Sequence, residues 1–307
     1  MKDTLHKFLF ADNSLRIEAV NLSQSWQDTI AHQHYPKVVQ QLLGELCAAS
    51  VLLAANIKFE GSLILQLQGQ GAISLIVVEC NNHLQLRATV KLRPEFAIRA
   101  NDNLQTLLNA DKRGRFSVIL DLKNRQPGQQ AYQGIVPLTG DSVASVLEEY
   151  MSSSEQLETR ILLACDHAKA SGILLQKLAQ QGGHSQHQGD ANDNWQRASH
   201  YLQTVSREEQ LQLDELALLQ RLFWEDDLRQ TEAPKAIEWH CSCSHERVAD
   251  MLKSLGVQEV ESIIEEQGEV AINCEFCGQS YVFDPIEAAK LFIASDKLSP
   301  NNSQVSH

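Results

Sequence analysis

The feature that most constrains this chain is a set of four cysteines near its C-terminus: Cys241-Ser-Cys243, thirty intervening residues, then Cys274-Glu-Phe-Cys277. Two thiolate pairs at such a separation match the donor set of a tetrahedral zinc site. The surrounding stretch, 232–287, has few large apolar residues for its length, and a module that small commonly needs a staple. Zinc on four thiolates contributes on the order of 10–16 kcal/mol, which becomes folding free energy. The sequence therefore predicts one zinc per chain on Cys241, Cys243, Cys274 and Cys277.

The pattern around the cysteines supports a small folded module. Ser244 is placed to cap a helix with an apolar face of Val248, Met251, Leu252 and Leu255, ending at Gly256. Val260, Ile263 and Ile264 mark a second helix, stopped by Gly268. Strands are predicted over Glu269–Asn273 and Gln279–Phe283, flanking a knuckle in which Gly278 lets backbone N–H groups face the sulfurs. Asp284-Pro285-Ile286-Glu287 then opens a last helix with a capping box and proline at its first position.

Rival readings of the cysteines are weaker. A thioredoxin-like Cys-x-x-Cys needs a βαβ context and an exposed helix N-terminus. A zinc deaminase needs His-x-Glu and Pro-Cys-x-x-Cys, whereas Asn273 precedes Cys274. A nucleic-acid-binding ribbon needs positive charge. Residues 232–287 instead hold twelve acidic residues against Lys235, Arg247 and Lys253, and the whole chain carries a net charge of −13. His240 and His245 flank the first pair, but four cysteines already close the metal shell. A purely structural zinc remains open, as in an adaptor, and so does a thiol-disulfide oxidoreductase. The spacing of the first pair leans towards redox control. Structural sites mostly use Cys-x₂₋₄-Cys, and two cysteines separated by one residue can close only a small, strained ring. Strained disulfides tend to be labile and regulatory.

Cys47, Cys80 and Cys165 lie singly in apolar stretches and read as small buried hydrophobes. The start, MKDTLHKFLF, has no signal-peptide pattern, and no stretch approaches the roughly 18 apolar residues of a membrane span. A cytoplasmic protein is expected, with no membrane and no nucleic acid among its partners. Its reducing surroundings favour cysteines as metal ligands or redox groups.

Before position 180 the chain reads as an α+β domain. Tyr35-Pro36 opens a long helix through Leu42, Leu43, Leu46, Leu52 and Leu53. Ser62–Gln68, Ile73–Val78 and Leu84–Val90, separated by turns at Gly69-Gln70-Gly71 and Asn81-Asn82, form an antiparallel meander. Further strands are expected at Phe116–Leu122, Gln133–Val136, Arg160–Cys165 and Gly172–Lys177, with a helix over Ser142–Met151. Residues 179–194 are polar and aperiodic and read as a flexible linker in which His184 and His187 are solvated. Trp195–Arg229 then turns helical, with a Ser206/Glu209 capping box and an apolar stripe of Leu211, Leu218, Leu219, Leu222 and Phe223 that needs something to dock on. The predicted organisation is an N-terminal mixed sheet/helix domain over 1–178, a flexible then helical linker over 179–231, the zinc module over 232–287 and a tail over 288–307.

Taken together, these residues resemble the bacterial redox-regulated heat-shock holdase family, the thirty-three-kilodalton chaperonin. The likeness spans nearly the whole chain and rests on the Cys-x-Cys…Cys-x-x-Cys pattern and on HYPKVVQQLLGEL, KFEGSLILQLQGQGAISLIVVEC, YQGIVPL, EYMSSSEQLETR, SGILLQKL and RLFWEDD. The resemblance implies a chaperone with no catalytic centre, switched off when reduced and zinc-bound. On oxidation zinc leaves and the disulfides Cys241–Cys243 and Cys274–Cys277 form. The linker helices then loosen, and the exposed apolar surface holds unfolding client proteins without ATP. It also implies a homodimer in the active form.

Overall fold

The computed structural model describes residues 3–58, 60–124, 131–178 and 188–293. Its packing separates Met1–His240 from Cys241–His307, a later boundary than the 232 suggested by composition.

Two strands that the sequence reading did not single out open the first unit. β1 (Thr4–Phe10) and β2 (Leu15–Leu22) pair as an antiparallel hairpin whose turn holds Asn13 at φ 56°. Asparagine tolerates this left-handed conformation. The short helix α1 (Gln24–Ile30) follows, and the Asp3 carboxylate accepts from the backbone N–H groups of Ser23, Gln24 and Ser25 at its start. α2 (Lys37–Ala54) is the long helix expected after Tyr35-Pro36. With a mean hydropathy of 1.3 it has the length and composition of a membrane span, which corrects the expectation that no stretch does. Yet 72% of it is buried inside the protein, as in a core helix.

The expected meander is present as β3 (Gly61–Gln68), β4 (Ile73–Asn81) and β5 (Gln85–Leu92). β3 buries alternate residues, Leu63, Leu65 and Leu67, as period-two patterning requires. Past the short helix α3 (Leu104–Leu108), β6 (Arg115–Leu122) pairs with β3, and β7 (Tyr132–Pro137) pairs with β6. α4 (Val143–Ser153) starts where the Ser142 hydroxyl accepts from the Ser145 N–H. It leads into the hairpin of β8 (Thr159–Cys165) and β9 (Ala170–Lys177), and β9 pairs with β2. The strands thus form two sheets, and α2 packs against both. A Cβ on Gly44 of α2 would sit 2.2 Å from the Cys165 sulfur, so only glycine permits this helix–sheet approach.

Three helices follow: α5 (Gln188–Gln203), α6 (Arg207–Gln212) and α7 (Glu215–Leu222). Residues 188–194, read as flexible from their polarity, belong to α5. The helix is tied to the rest of the first unit from its second turn on, Asn194 donating to Asp12 at 2.9 Å and Arg197 pairing with Asp226. His184, His187 and the rest of 179–187 lie outside the described residues. The Ser206/Glu209 capping box forms as expected.

These helices explain why β2 and β9 are buried on both faces. Val20, Leu22 and Leu174 face the core built on α2. Leu15, Ile17, Ala19, Ile173 and Leu175, on the opposite face, pack against Trp195, Ala198, Leu202, Leu218, Leu219 and Phe223. The polar residues these strands keep, Glu18, Asn21, Ser171 and Gln176, are buried with the apolar ones. Polar grips add to the cover. The Gln210 amide donates to the Leu162 and Ser171 carbonyls at 3.1 and 3.2 Å, and Lys169 donates to the Leu213 carbonyl at 3.0 Å. Buried Glu215 accepts from Thr4 and Asn21, each at 3.3 Å. The chain then adds β10 (Leu228–Gln230) and β11 (Lys235–Ala236) beside β1, and β12 (Glu238–Trp239) parallel to β5. Residues 235–239, expected in the cysteine module, are therefore edge strands of the first unit.

The second unit consists of α8 (His245–Leu255), α9 (Val257–Gln267), the hairpin β13 (Val270–Asn273) and β14 (Ser280–Phe283), and α10 (Pro285–Ile293). Gly256 and Gly268 end the two helices at φ 93° and 82°, the positive φ that favours glycine there. The buried core is small: Ala249, Leu252, Val260, Val270, Phe283 and Ala288. Of the expected tail, 288–293 continues α10, and 294–307 lies outside the described residues.

Candidate metal centre

Two local structures bring the cysteines to one point. Cys241 and Cys243 lie on the segment entering α8. Its N-cap, Ser244, accepts from the Arg247 N–H at 3.2 Å, while the Arg247 guanidinium donates to the Ser242 hydroxyl at 2.6 Å. The residue between the two ligands is therefore anchored to the first turn of the helix behind it. Cys274 and Cys277 lie on the turn between β13 and β14. That turn closes with Gly278 N–H donating to the Cys274 carbonyl at 2.8 Å and Cys274 N–H to the Gln279 carbonyl at 2.9 Å. Gly278 takes φ 72°, a conformation that favours glycine.

The four sulfurs all lie within 4.8 Å of one another. Cys241 and Cys274 approach to 3.7 Å, and Cys243 and Cys277 to 3.4 Å. Four sulfurs around zinc at about 2.3 Å define a tetrahedron with edges of about 3.8 Å. The two close approaches lie near that edge length, and the all-thiol donor set is the one zinc takes in closed sites. All four side chains are half-buried, as a shielded but reachable site requires.

Electrostatics bear on the protons. Burial pushes the Cys277 thiol up to about 12, against the pull of the Gln279 backbone N–H, and the neighbouring Cys243, Cys274 and Cys241 thiols raise it further. Metal-free, this thiol keeps its proton at neutral pH, so a cation binding here must displace it. The hydroxyl of Tyr281 donates to Cys243 at 3.0 Å. Through that bond first, and then through burial and the other thiols, its phenol is raised to about 12.

Neither flanking histidine joins the cluster formed by the described residues. His240 N–H donates to the Leu86 carbonyl of β5, and the His245 ring stacks on Phe283 with centroids 4.3 Å apart. Cys47, Cys80 and Cys165 are buried in the first unit, as their apolar surroundings predict. Burial raises each of these thiols well above its ordinary value, which makes them poor nucleophiles. Sequence reasoning missed Tyr281 and the Arg247–Ser242 contact. The usable signal was a hydroxyl-bearing aromatic four residues past Cys277, on a strand that must fold back beside the knuckle.

Comparison with known proteins extends the likeness to the whole chain. Residues 3–284 match the family model described as Hsp33 protein. A 33 kDa chaperonin of Methylobacillus flagellatus is 41% identical over 303 residues, covering 98% of each chain. One from Chromobacterium violaceum is 43% identical over 290 residues, covering 94% of each. The crystal structure of a 33 kDa chaperonin from Thermotoga maritima superposes with a TM-score of 0.79 at 18% identity, over 97% of this chain and all of that one. At that identity the superposition speaks to the fold. Sequence, fold and cysteine cluster agree, and the chain belongs to the Hsp33 family.

Proposed function

We propose that this protein is a redox-regulated, ATP-independent chaperone, a holdase that binds unfolding proteins under oxidative and heat stress. It acts in the cytoplasm, as a homodimer when active, and it works by binding rather than by catalysis, with neither nucleic acid nor membrane as a partner. One observation carries the reading: four thiols converge in a unit whose buried core numbers six residues among those described. The names of the relatives support a chaperone role.

In the reduced protein Cys241, Cys243, Cys274 and Cys277 hold one zinc. Zinc, when bound, keeps the sulfurs as thiolates and supplies folding free energy to a unit with little of its own. A peroxide takes an electron pair from one sulfur: an S–O bond forms, the O–O bond breaks and hydroxide leaves. A neighbouring thiol then attacks the sulfenic sulfur, the S–S bond forms and water leaves. Two such rounds consume two peroxides and leave Cys241–Cys243 and Cys274–Cys277 as disulfides, with no thiolate to bind the cation.

The second unit then loses its staple. One residue, His240, separates β12 from Cys241, so the disturbance enters the first unit at short edge strands. Beyond them lie α5–α7, of 16, 6 and 8 residues, which are marginal as isolated helices. Their release bares Phe10, Leu15, Ile17, Ile173 and Leu175, an apolar face suited to unfolded clients. The test is suppression of the thermal aggregation of a labile enzyme, reduced and oxidised protein side by side. Activity should appear on oxidation and vanish when reductant and zinc are restored. Equal activity in both states would refute redox control.

A further inference from the structure

Tyr281 stands on β14 opposite Ile272 of β13, in the hairpin whose turn carries Cys274 and Cys277. Its hydroxyl reaches across to the other pair and donates to Cys243 at 3.0 Å. The ring is half-buried and packs on the core of the unit. The edge of His245 lies against it, with centroids 6.5 Å apart, and His245 is itself stacked on Phe283. A phenylalanine would meet the same packing; the hydroxyl is what this position adds, and it is aimed at a sulfur.

We propose that Tyr281 is a positioning residue of the cysteine cluster, one whose hydroxyl holds Cys243 in the metal-binding arrangement and slows its attack on oxidant. The inference rests on the zinc–thiolate switch proposed above and names a device that sets its rate. When Cys243 attacks a peroxide, a sulfur lone pair forms the S–O bond while hydroxide leaves. A hydrogen bond donated to that sulfur withdraws electron density from the same lone pairs. Partners of this kind around metal ligands typically change metal affinity by about 10–100-fold. A tenfold rise in sulfur basicity speeds its attack on an electrophile by about three-fold.

The experiment uses the full chain loaded with zinc and compares wild type with Tyr281→Phe. Zinc release after hydrogen peroxide is followed with a colorimetric chelator, and affinity by competition with a second chelator. The variant should release zinc about three-fold faster and bind it about ten-fold less tightly. Both proteins are also loaded with cobalt(II), whose sulfur-to-metal charge-transfer band reports directly on the thiolates; the band should shift in the variant. Release at the wild-type rate overturns the proposal. Faster release with an unshifted cobalt band assigns the effect to packing, and overturns it too. Should Tyr281→Phe fail to fold, 3-fluorotyrosine in place of the chain's five tyrosines keeps the ring and strengthens the donor. Slower zinc release then supports the proposal, and an unchanged rate overturns it. A wild-type protein that takes up no zinc, or keeps it under peroxide, refutes the switch itself and is told apart by that control.

Discussion

Replacing Phe223 by alanine should activate the chaperone without oxidant. Phe223 is 2% exposed at the end of α7. Its ring meets Phe10 edge-on at 5.6 Å and Tyr201 at 6.0 Å, joining α7 both to the sheet and to α5. Truncating a buried phenylalanine costs about 3–5 kcal/mol. If the whole cost falls on docking of the helices, their closed-to-open ratio drops by roughly two to four powers of ten. The remaining apolar anchors include Trp195, Leu202, Leu218 and Leu219, but α6 and α7 are too short to hold their own shape once docking weakens. The cysteine cluster is untouched, so the variant should keep one zinc per chain while suppressing client aggregation in reductant. Limited proteolysis of the same sample should cut between 188 and 230 and spare α2 and its two sheets. The neighbouring Trp224, 77% exposed, gives the control, because Trp224→Ala removes little packing and should leave the reduced protein inactive. A folded Phe223→Ala protein that holds zinc, resists protease over 188–230 and stays inactive would refute the argument that α5–α7 act as a removable cover.

Metal binding should weaken in acid. The Cys277 thiol, raised to about 12 by burial, is protonated throughout the neutral range in the metal-free form. Binding must release that proton, so apparent zinc affinity should rise with pH and fall at least about ten-fold per unit from pH 8 to pH 6, as chelator competition would show. A Cys241→Ser/Cys274→Ser double variant should lose zinc; full stoichiometry by metal analysis would discredit the ligand set. Replacing Cys47, Cys80 and Cys165 together by alanine should leave activation by peroxide in place, measured as client protection in a variant first shown to fold. Loss of the oxidant response would mean that the buried thiols take part.

The cysteine cluster was legible in the sequence because ligand spacing is local. Cys-x-Cys and Cys-x-x-Cys each occupy one turn, and Ser244, Gly256, Gly268 and Gly278 punctuate the elements between them. The meander was legible for a similar reason, since Leu63, Leu65 and Leu67 alternate along one strand. β1 and β2 were overlooked: β2 is buried on both faces, with Glu18 and Asn21 inside among the apolar residues, and that cover comes from elements distant in sequence. Edge strands β10–β12, two or three residues long, carry no periodicity at all. The extra turns of α5 end at Asn194, whose partner Asp12 is distant in sequence, and composition could not supply it. Tyr281 was hidden because its role depends on a hairpin register that places it beside Cys243.

The two faces of β2 and β9 invite a different kind of engineering. Val20, Leu22 and Leu174 belong to the core built on α2, while Leu15, Ile17, Ala19, Ile173 and Leu175 belong to the face under α5–α7. If clients bind the face proposed above, the odd-numbered apolar positions on these strands would govern what the protein grips and the even-numbered apolar ones whether the domain stands. In that reading, changing Ile17 or Ile173 would retune the affinity of cover and client together, since both would use the same side chains, whereas changing Leu174 would lower the melting temperature. Such a strand can be selected for stickiness on one side and for permanence on the other, and a library restricted to the odd positions would explore the first without spending the second.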